Sequence, residues 1–286
     1  MILLFDIGNT HTHIGLANDR RVVKQINVPT REWSGGKAAT LVRKFAGGNT
    51  VEGAILCSVV PRATPLVRKF VAQFGTPSTG SARKVGVQAS ACSGGTLTRE
   101  VQRAGAGSGV PLLELTPKTV CGVGIDYPKP DSIGPDRLAN AVAARQRFGA
   151  PVVVVDFGTA VTFDVVNRAG NYSGGIIAPG LAAMTDYLHE KTALLPRIKI
   201  AEVKTAIGKS TEQAMLIGAV HGYRGLVREL IGELKCELRV KKLPVVATGG
   251  YAKLMAAKLP EISAVAPDLT LEGLRLVWNA AGPPAY

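Results

Sequence analysis

Two stretches of this chain place the same chemically capable residues at the end of an apolar run. Ile2-Leu3-Leu4-Phe5 leads into Asp6-Ile7-Gly8-Asn9-Thr10-His11-Thr12-His13, and Val152-Val153-Val154-Val155 leads into Asp156-Phe157-Gly158-Thr159. Asp6 and Asp156, Gly8 and Gly158, and Thr12 and Thr162 are each 150 residues apart, about half of the 286-residue chain. A glycine in such a turn lets backbone approach an oxyanion, and successive N–H groups there form an anion-binding nest. Asn9 and Thr10 add side-chain donors. A carboxylate repels phosphate, so Asp6 would act by holding Mg²⁺, directly or through water, with the ion bridging phosphates. The plain alternative, an Asp-Gly hairpin turn, is weakened by the recurrence at Asp156. His11 and His13 alternate and so share one strand face. Packing or a phosphate contact is favoured there over a metal pair.

A second group lies at Gly134-Pro135-Asp136-Arg137. Proline in the first turn suits a helix start, where the dipole and free N–H groups favour anions. Asp136 could accept a proton from a substrate hydroxyl, and Arg137 could hold a carboxylate or phosphate in bidentate fashion. A capped helix start with a solvated Arg is the equal alternative. Gly208-Lys209-Ser210-Thr211 imitates a P-loop but lacks the upstream glycine, since position 203 is Val. Ser210 or Thr211 is instead expected to cap the next helix; a substrate contact by Thr211 is the sharper reading. Thr248-Gly249-Gly250 follows an apolar strand and would let a flat adenine or ribose lie against backbone, although an ordinary turn explains it as well.

These residues need elements to hold them. Short apolar runs bounded by turn residues predict strands at 2–7, 12–18, 22–28, 53–58, 152–157, 161–166, 171–177, 244–248 and 262–266. Helical spacing predicts helices at 36–46, 62–74, about 134–148, 180–191, 210–236, 249–258 and 269–280. The order β-β-β-α-β-α, roughly twice, gives two α/β lobes with mixed sheets, expected to face one nucleotide and divided at 149/150. The stretch 75–110 is basic, rich in Gly, Ser, Thr and Ala, and poor in large apolar residues. It reads as a surface loop or flexible insertion, dispensable rather than functional, with a short helix possible at 97–103.

Composition narrows the function class. The chain is 46% hydrophobic and carries a formal net charge of +13, which fits a globular protein with anionic partners. No nucleic-acid-binding motif accompanies the charge, so nucleic acid is not the expected partner. No apolar run approaches the ~18 residues of a membrane span. The start lacks a signal-peptide pattern, and a cytoplasmic location is expected. Cys57, Cys92, Cys121 and Cys236 are widely spread without C-x-x-C pairing and read as ordinary thiols.

Taken together, the motifs resemble the type III pantothenate kinases of the acetate and sugar kinase/Hsp70/actin superfamily. The matching stretches are Asp6-Ile-Gly-Asn-Thr10, Cys57-Ser-Val-Val-Pro61, Gly134-Pro-Asp-Arg137, Asp156-Phe-Gly-Thr159, Gly174-Gly-Ile-Ile-Ala-Pro-Gly180, Thr192-Ala-Leu-Leu-Pro196, Gly208-Lys-Ser-Thr-Glu-Gln213 and Thr248-Gly-Gly250. The resemblance implies two ribonuclease H-like, actin-like ATPase lobes, each a mixed five-stranded sheet flanked by helices. It implies ATP-dependent phosphorylation of pantothenate, the first step of coenzyme A synthesis, with Mg²⁺ and a monovalent cation, K⁺ or NH₄⁺. Asp136 would be the base. Asp6 to His13 would form the first phosphate loop, Asp156 would hold the monovalent cation, and Thr159 would contact ATP. Tyr127, Gly134, Pro135, Arg137 and Thr211 would bind pantothenate, in a homodimer. The chain departs from the family pattern in the longer segment between Pro61 and Gly134 and in Val161, where Thr is common. A non-enzymatic transcriptional accessory protein on the same fold is the rival reading.

Overall fold

The computed structural model describes residues 1–74 and 109–282; most of the predicted insertion at 75–110, its helix at 97–103 and Cys92 lie outside them. The elements run β1 (Ile2–Ile7), β2 (His11–Ala17), β3 (Val22–Pro29), α1 (Lys37–Ala46), β4 (Gly53–Ser58), α2 (Thr64–Ala72), β5 (Leu112–Glu114), β6 (Gly124–Ile125) and α3 (Pro135–Phe148). They continue with β7 (Val152–Phe157), β8 (Ala160–Val166), β9 (Asn171–Pro179), α4 (Leu181–Lys191), α5 (Thr211–Ile217), α6 (Tyr223–Glu237), β10 (Val245–Thr248), α7 (Ala252–Ala256), β11 (Ala264–Val265) and α8 (Leu269–Ala281). Two compact units result: Met1–Gln146 together with the chain from Asp268 on, and Arg147–Pro267.

The first unit is built on a sheet of order β3-β2-β1-β4-β5. β1 pairs antiparallel with β2 and parallel with β4. Its apolar residues are buried on both faces, which explains an unbroken hydrophobic run in place of alternation. Leu3, Phe5 and Ile7 join Val42 of α1 and Val67 and Phe70 of α2 in one core. Phe5, Trp33 and Phe70 meet edge to face at 5.6–6.3 Å between ring centres.

The closing helix α8 belongs to this unit, not to the second lobe in which the sequence placed it. Its buried Leu271, Leu274, Val277 and Trp278 pack over β1, β2 and β4. The fit depends on two glycines. A Cβ on Gly53 would lie 2.2 Å from the Trp278 ring, and one on Gly273 would lie 2.0 Å from the Ala139 carbonyl of α3. Thr270 adds a 2.8 Å hydrogen bond to the buried Asn140 of α3.

The second unit contributes five strands in the order β11-β10-β7-β8-β9. β7 is antiparallel to β8 and parallel to β10. Val153, Val155 and Phe157 pack with Phe163 of β8 and with Val220, Tyr223, Val227 and Ile231. The predicted single helix at 210–236 is divided. α5 and α6 are joined by a π-helical segment, Gly218–Gly222, a local widening often found at functional sites.

Candidate functional site

At the tip of β1 the backbone turns sharply. The Gly8 N–H donates to the His11 carbonyl at 3.0 Å, and the Thr30 hydroxyl donates to the Gly8 carbonyl at 2.7 Å. A Cβ on Gly8 would approach that His11 oxygen to 3.0 Å, tight enough to favour glycine. Asn9, Thr10 and His11 are exposed at the turn. Two predicted nucleotide contacts face the other way. Ile7 has its side chain wholly in the core, and its carbonyl accepts from Val59 N–H at 3.2 Å. Thr12 is 0% exposed; its hydroxyl accepts from Trp33 Nε1 and shares a hydrogen bond with Thr30, both at 3.1 Å. The Thr12 side chain therefore braces the turn from behind. Period two already required this: Thr12 lies out of phase with His11 and His13 on β2.

Asp6 and Asp136 form the electrostatic centre of the first unit. In-register pairing sets Asp6 beside Cys57 of β4, whose buried thiol donates to Asp6 Oδ1 at 3.4 Å. Burial, and then the charge of Asp136, raise the Asp6 pKa from its ordinary 3.8 to about 7, against the opposing Cys57 hydrogen bond. Two carboxylates repelling one another in a partly desolvated place call for a cation, so this donor set fits Mg²⁺. Asp136 stands in the first turn of α3 and accepts the Arg137 N–H at 2.9 Å. Burial raises its pKa as well, while the backbone N–H and charge of Arg137 oppose the rise. Gly134 makes room for it: a Cβ there would sit 2.6 Å from Asp136 Oδ1.

Near that helix start lies a cavity of about 530 Å³ at the ends of the parallel strands β4 and β5. Leu56, Val60, Ile133 and Pro135 supply apolar wall, with the hydroxyls of Ser58 and Thr64 between them. Thr64 donates to Ser58 at 2.7 Å. The volume suits a small organic molecule.

In the second unit the β7 tip turns one residue sooner, with Gly158 N–H donating to the Ala160 carbonyl at 3.1 Å, so Asp156 faces Thr162 where Asp6 faces His13. β10 carries Thr248 beside Asp156, followed by Gly249 at φ +88°. A Cβ on Gly249 would lie 2.5 Å from Asp156 Oδ1 and 2.7 Å from the Phe157 backbone. Asp156 thus sits in a cradle that the bare backbone of Gly249 leaves open. Gly180 plays a similar part for Thr159: its N–H donates to the Thr159 carbonyl at 3.2 Å, and a Cβ there would meet that oxygen at 2.2 Å.

Ser210, not Thr211, caps α5, accepting from Gln213 N–H at 3.2 Å, while Gln213 Oε1 accepts from Lys209 N–H. These two hydrogen bonds close the helix start and leave Thr211 exposed in the first turn. Tyr127 is half-exposed ahead of a 3₁₀ turn at Pro130–Ser132. Cys57, Cys121 and Cys236 are free thiols. Sequence reasoning missed Cys57, Trp33 and Thr30 as supports of the β1 tip. The spacing carries no mark of them, because only strand pairing brings them there.

The architecture matches solved proteins of the actin-like ATPase and sugar kinase fold. A protein from Campylobacter jejuni assigned to the Baf family of transcriptional activators aligns with a TM-score of 0.55 at 17% identity, over 96% of each chain. A Sinorhizobium meliloti protein assigned as a 2-dehydro-3-deoxygalactonokinase gives 0.55 at 15%, over 100% of this chain and 98% of its own. At such identities these likenesses show the fold alone. Sequence relatives go further. The type III pantothenate kinase of Gluconobacter oxydans is 48% identical over 291 residues, 99% of this chain and 95% of its own. That of Akkermansia muciniphila is 42% identical over 275 residues, 96% of each. The family model for type III pantothenate kinase matches residues 2–92 and 89–233, and the chain belongs to that family.

Proposed function

We propose that this protein transfers the γ-phosphoryl group of ATP to the primary hydroxyl of pantothenate, forming 4′-phosphopantothenate at the start of coenzyme A biosynthesis. The observation that carries the reading is the Asp6–Asp136 pair, a cation-demanding carboxylate coupled to a second one at a helix start. Asp136 accepts the hydroxyl proton as the oxygen attacks phosphorus in line and ADP leaves. Its raised pKa makes it a stronger base than an exposed carboxylate, and Gly134 leaves its oxygen unobstructed. Asp6 holds Mg²⁺, directly or through water; when bound, that ion neutralises phosphate charge. Backbone and side chains of Gly8, Asn9, Thr10, His11 and His13 bind the ATP phosphates, and Thr159 contributes to ATP binding. Asp156 holds K⁺ or NH₄⁺. Tyr127, Gly134, Pro135, Arg137 and Thr211 bind pantothenate. ATP as co-substrate supports a cytoplasmic location.

A homodimer is part of the same reading. Met184, Tyr187 and Leu188 follow helical spacing on α4 and are exposed, with Ile177 beside that helix in sequence and Leu194 91% exposed beyond it. Apolar exposure of this kind marks an interaction surface. Tyr187→Glu should convert the dimer to monomer in light scattering.

The reading is tested with labelled pantothenate and Mg-ATP, in K⁺ and in Na⁺ buffer, beside Asp136→Asn. K⁺-dependent phosphopantothenate that the variant fails to make supports it. No product under any cation from folded protein overturns it.

A further inference from the structure

Cys57 enters none of the chemical steps above, yet it is built into the acidic centre. The parallel register of β1 and β4 fixes it opposite Asp6. Its thiol is 0% exposed and donates to Asp6 Oδ1 at 3.4 Å. An apolar residue of similar size would fill the same strand position. Asp6 would then lose the hydrogen bond that β4 supplies to its carboxylate.

We propose that Cys57 is a positioning residue: from β4 it holds one oxygen of Asp6 and so sets the direction in which the other is offered to the divalent cation accompanying the nucleotide. The inference rests on the kinase reading. It makes Cys57 an outer partner of a cation ligand, the class of residue whose loss weakens metal affinity without touching the metal.

The test uses the full chain with Cys57→Ala, Cys57→Val and Cys57→Ser. Ala and Val both lack a donor, and Val fills space that Ala leaves; Ser keeps a donor. Circular dichroism and melting establish that each is folded. Mn²⁺ binding in the presence of a non-hydrolysable ATP analogue is read by electron paramagnetic resonance, with KM and kcat for pantothenate phosphorylation alongside. The donorless variants should bind Mn²⁺ about tenfold more weakly, with the loss appearing in KM for the metal–nucleotide more than in kcat. Cys57→Ser should stay close to the parent. Donorless variants that bind Mn²⁺ like the parent, or a Ser variant as weak as Ala, would overturn the proposal. Failure of the kinase reading shows differently, as parent protein that makes no phosphopantothenate. The Mn²⁺ measurement then still decides whether Cys57 and Asp6 act together.

Discussion

The tips of β1 and β7 carry the same sequence motif, with turns that differ by one residue, in different surroundings. Each ends in Asp-x-Gly, and each has a parallel neighbour on one side: β4 beside β1, β10 beside β7. In register, Cys57 stands opposite Asp6 where Thr248 stands opposite Asp156. The next residue is Ser58 in one case and Gly249 in the other. At the first tip burial, and then the charge of a second carboxylate, Asp136, push Asp6 up to about 7. At the second tip the aspartate lies against glycine backbone. The duplicated motif supplies a turn and a carboxylate. What that carboxylate does is decided by residues from other strands and helices, which the two units have filled differently.

If that contrast is right, breaking the two tips should give different kinetic signatures. Asp136→Asn should cost the most, lowering kcat by roughly 10²–10⁴-fold, the usual value of a positioned base. Its effect on ATP affinity should be small. Gly249→Ala should act through the second tip. The added methyl meets Asp156 Oδ1 and the Phe157 backbone, and the φ of +88° strains any L side chain. It should abolish the difference between K⁺ and Na⁺ buffers while leaving residual Na⁺-type turnover, seen by titrating each salt. A variant that keeps its K⁺ response would break the contrast, since Asp156 would then not depend on that cradle.

Some of this was legible in the sequence. The apolar runs ending in Asp6 and Asp156 gave strands within a residue of those observed, because both-face burial leaves a continuous hydrophobic signature. The Asp136 helix start was legible from Gly-Pro-Asp-Arg. What was not legible depends on long-range pairing. α8 packs on β1, β2 and β4 across most of the chain, and no local pattern records that Gly53 is bare because Trp278 lies over it. β5 has three residues, too few for periodicity to register. Thr12 was assigned by its neighbours in sequence, while the partners of its side chain, Thr30 and Trp33, come from the 3₁₀ turn that follows β3.

The Asp6 environment also gives a pH signature. Its folded-state pKa, about 7, lies above its ordinary 3.8, so the folded chain keeps this proton to higher pH than the unfolded chain does. The contribution to stability is therefore complete below about pH 4 and is lost as pH rises toward about 7. Asp6→Asn should flatten that decline in the metal-free protein, as followed by melting temperature from pH 4.5 to 7.5. Mg²⁺ binds the ionised carboxylate and should oppose the decline at the upper end.

The smallest effect separates Thr12 from Thr162, which share a spacing in sequence but not a position: Thr162 faces Asp156 where His13 faces Asp6. Thr12→Val keeps the shape but removes the hydroxyl that Trp33 Nε1 and Thr30 use in the core. Leaving a buried indole N–H without its acceptor should cost about 1–3 kcal/mol in denaturant unfolding. Thr162 is bonded to the buried Asp164 at 3.3 Å, and Tyr172 also donates to that carboxylate. Thr162→Val should therefore cost less, because Asp164 retains a donor. KM for ATP should be unchanged in Thr12→Val. A raised KM with unchanged stability would return Thr12 to the nucleotide and show that the β1 turn opens further than its hydrogen bonds indicate.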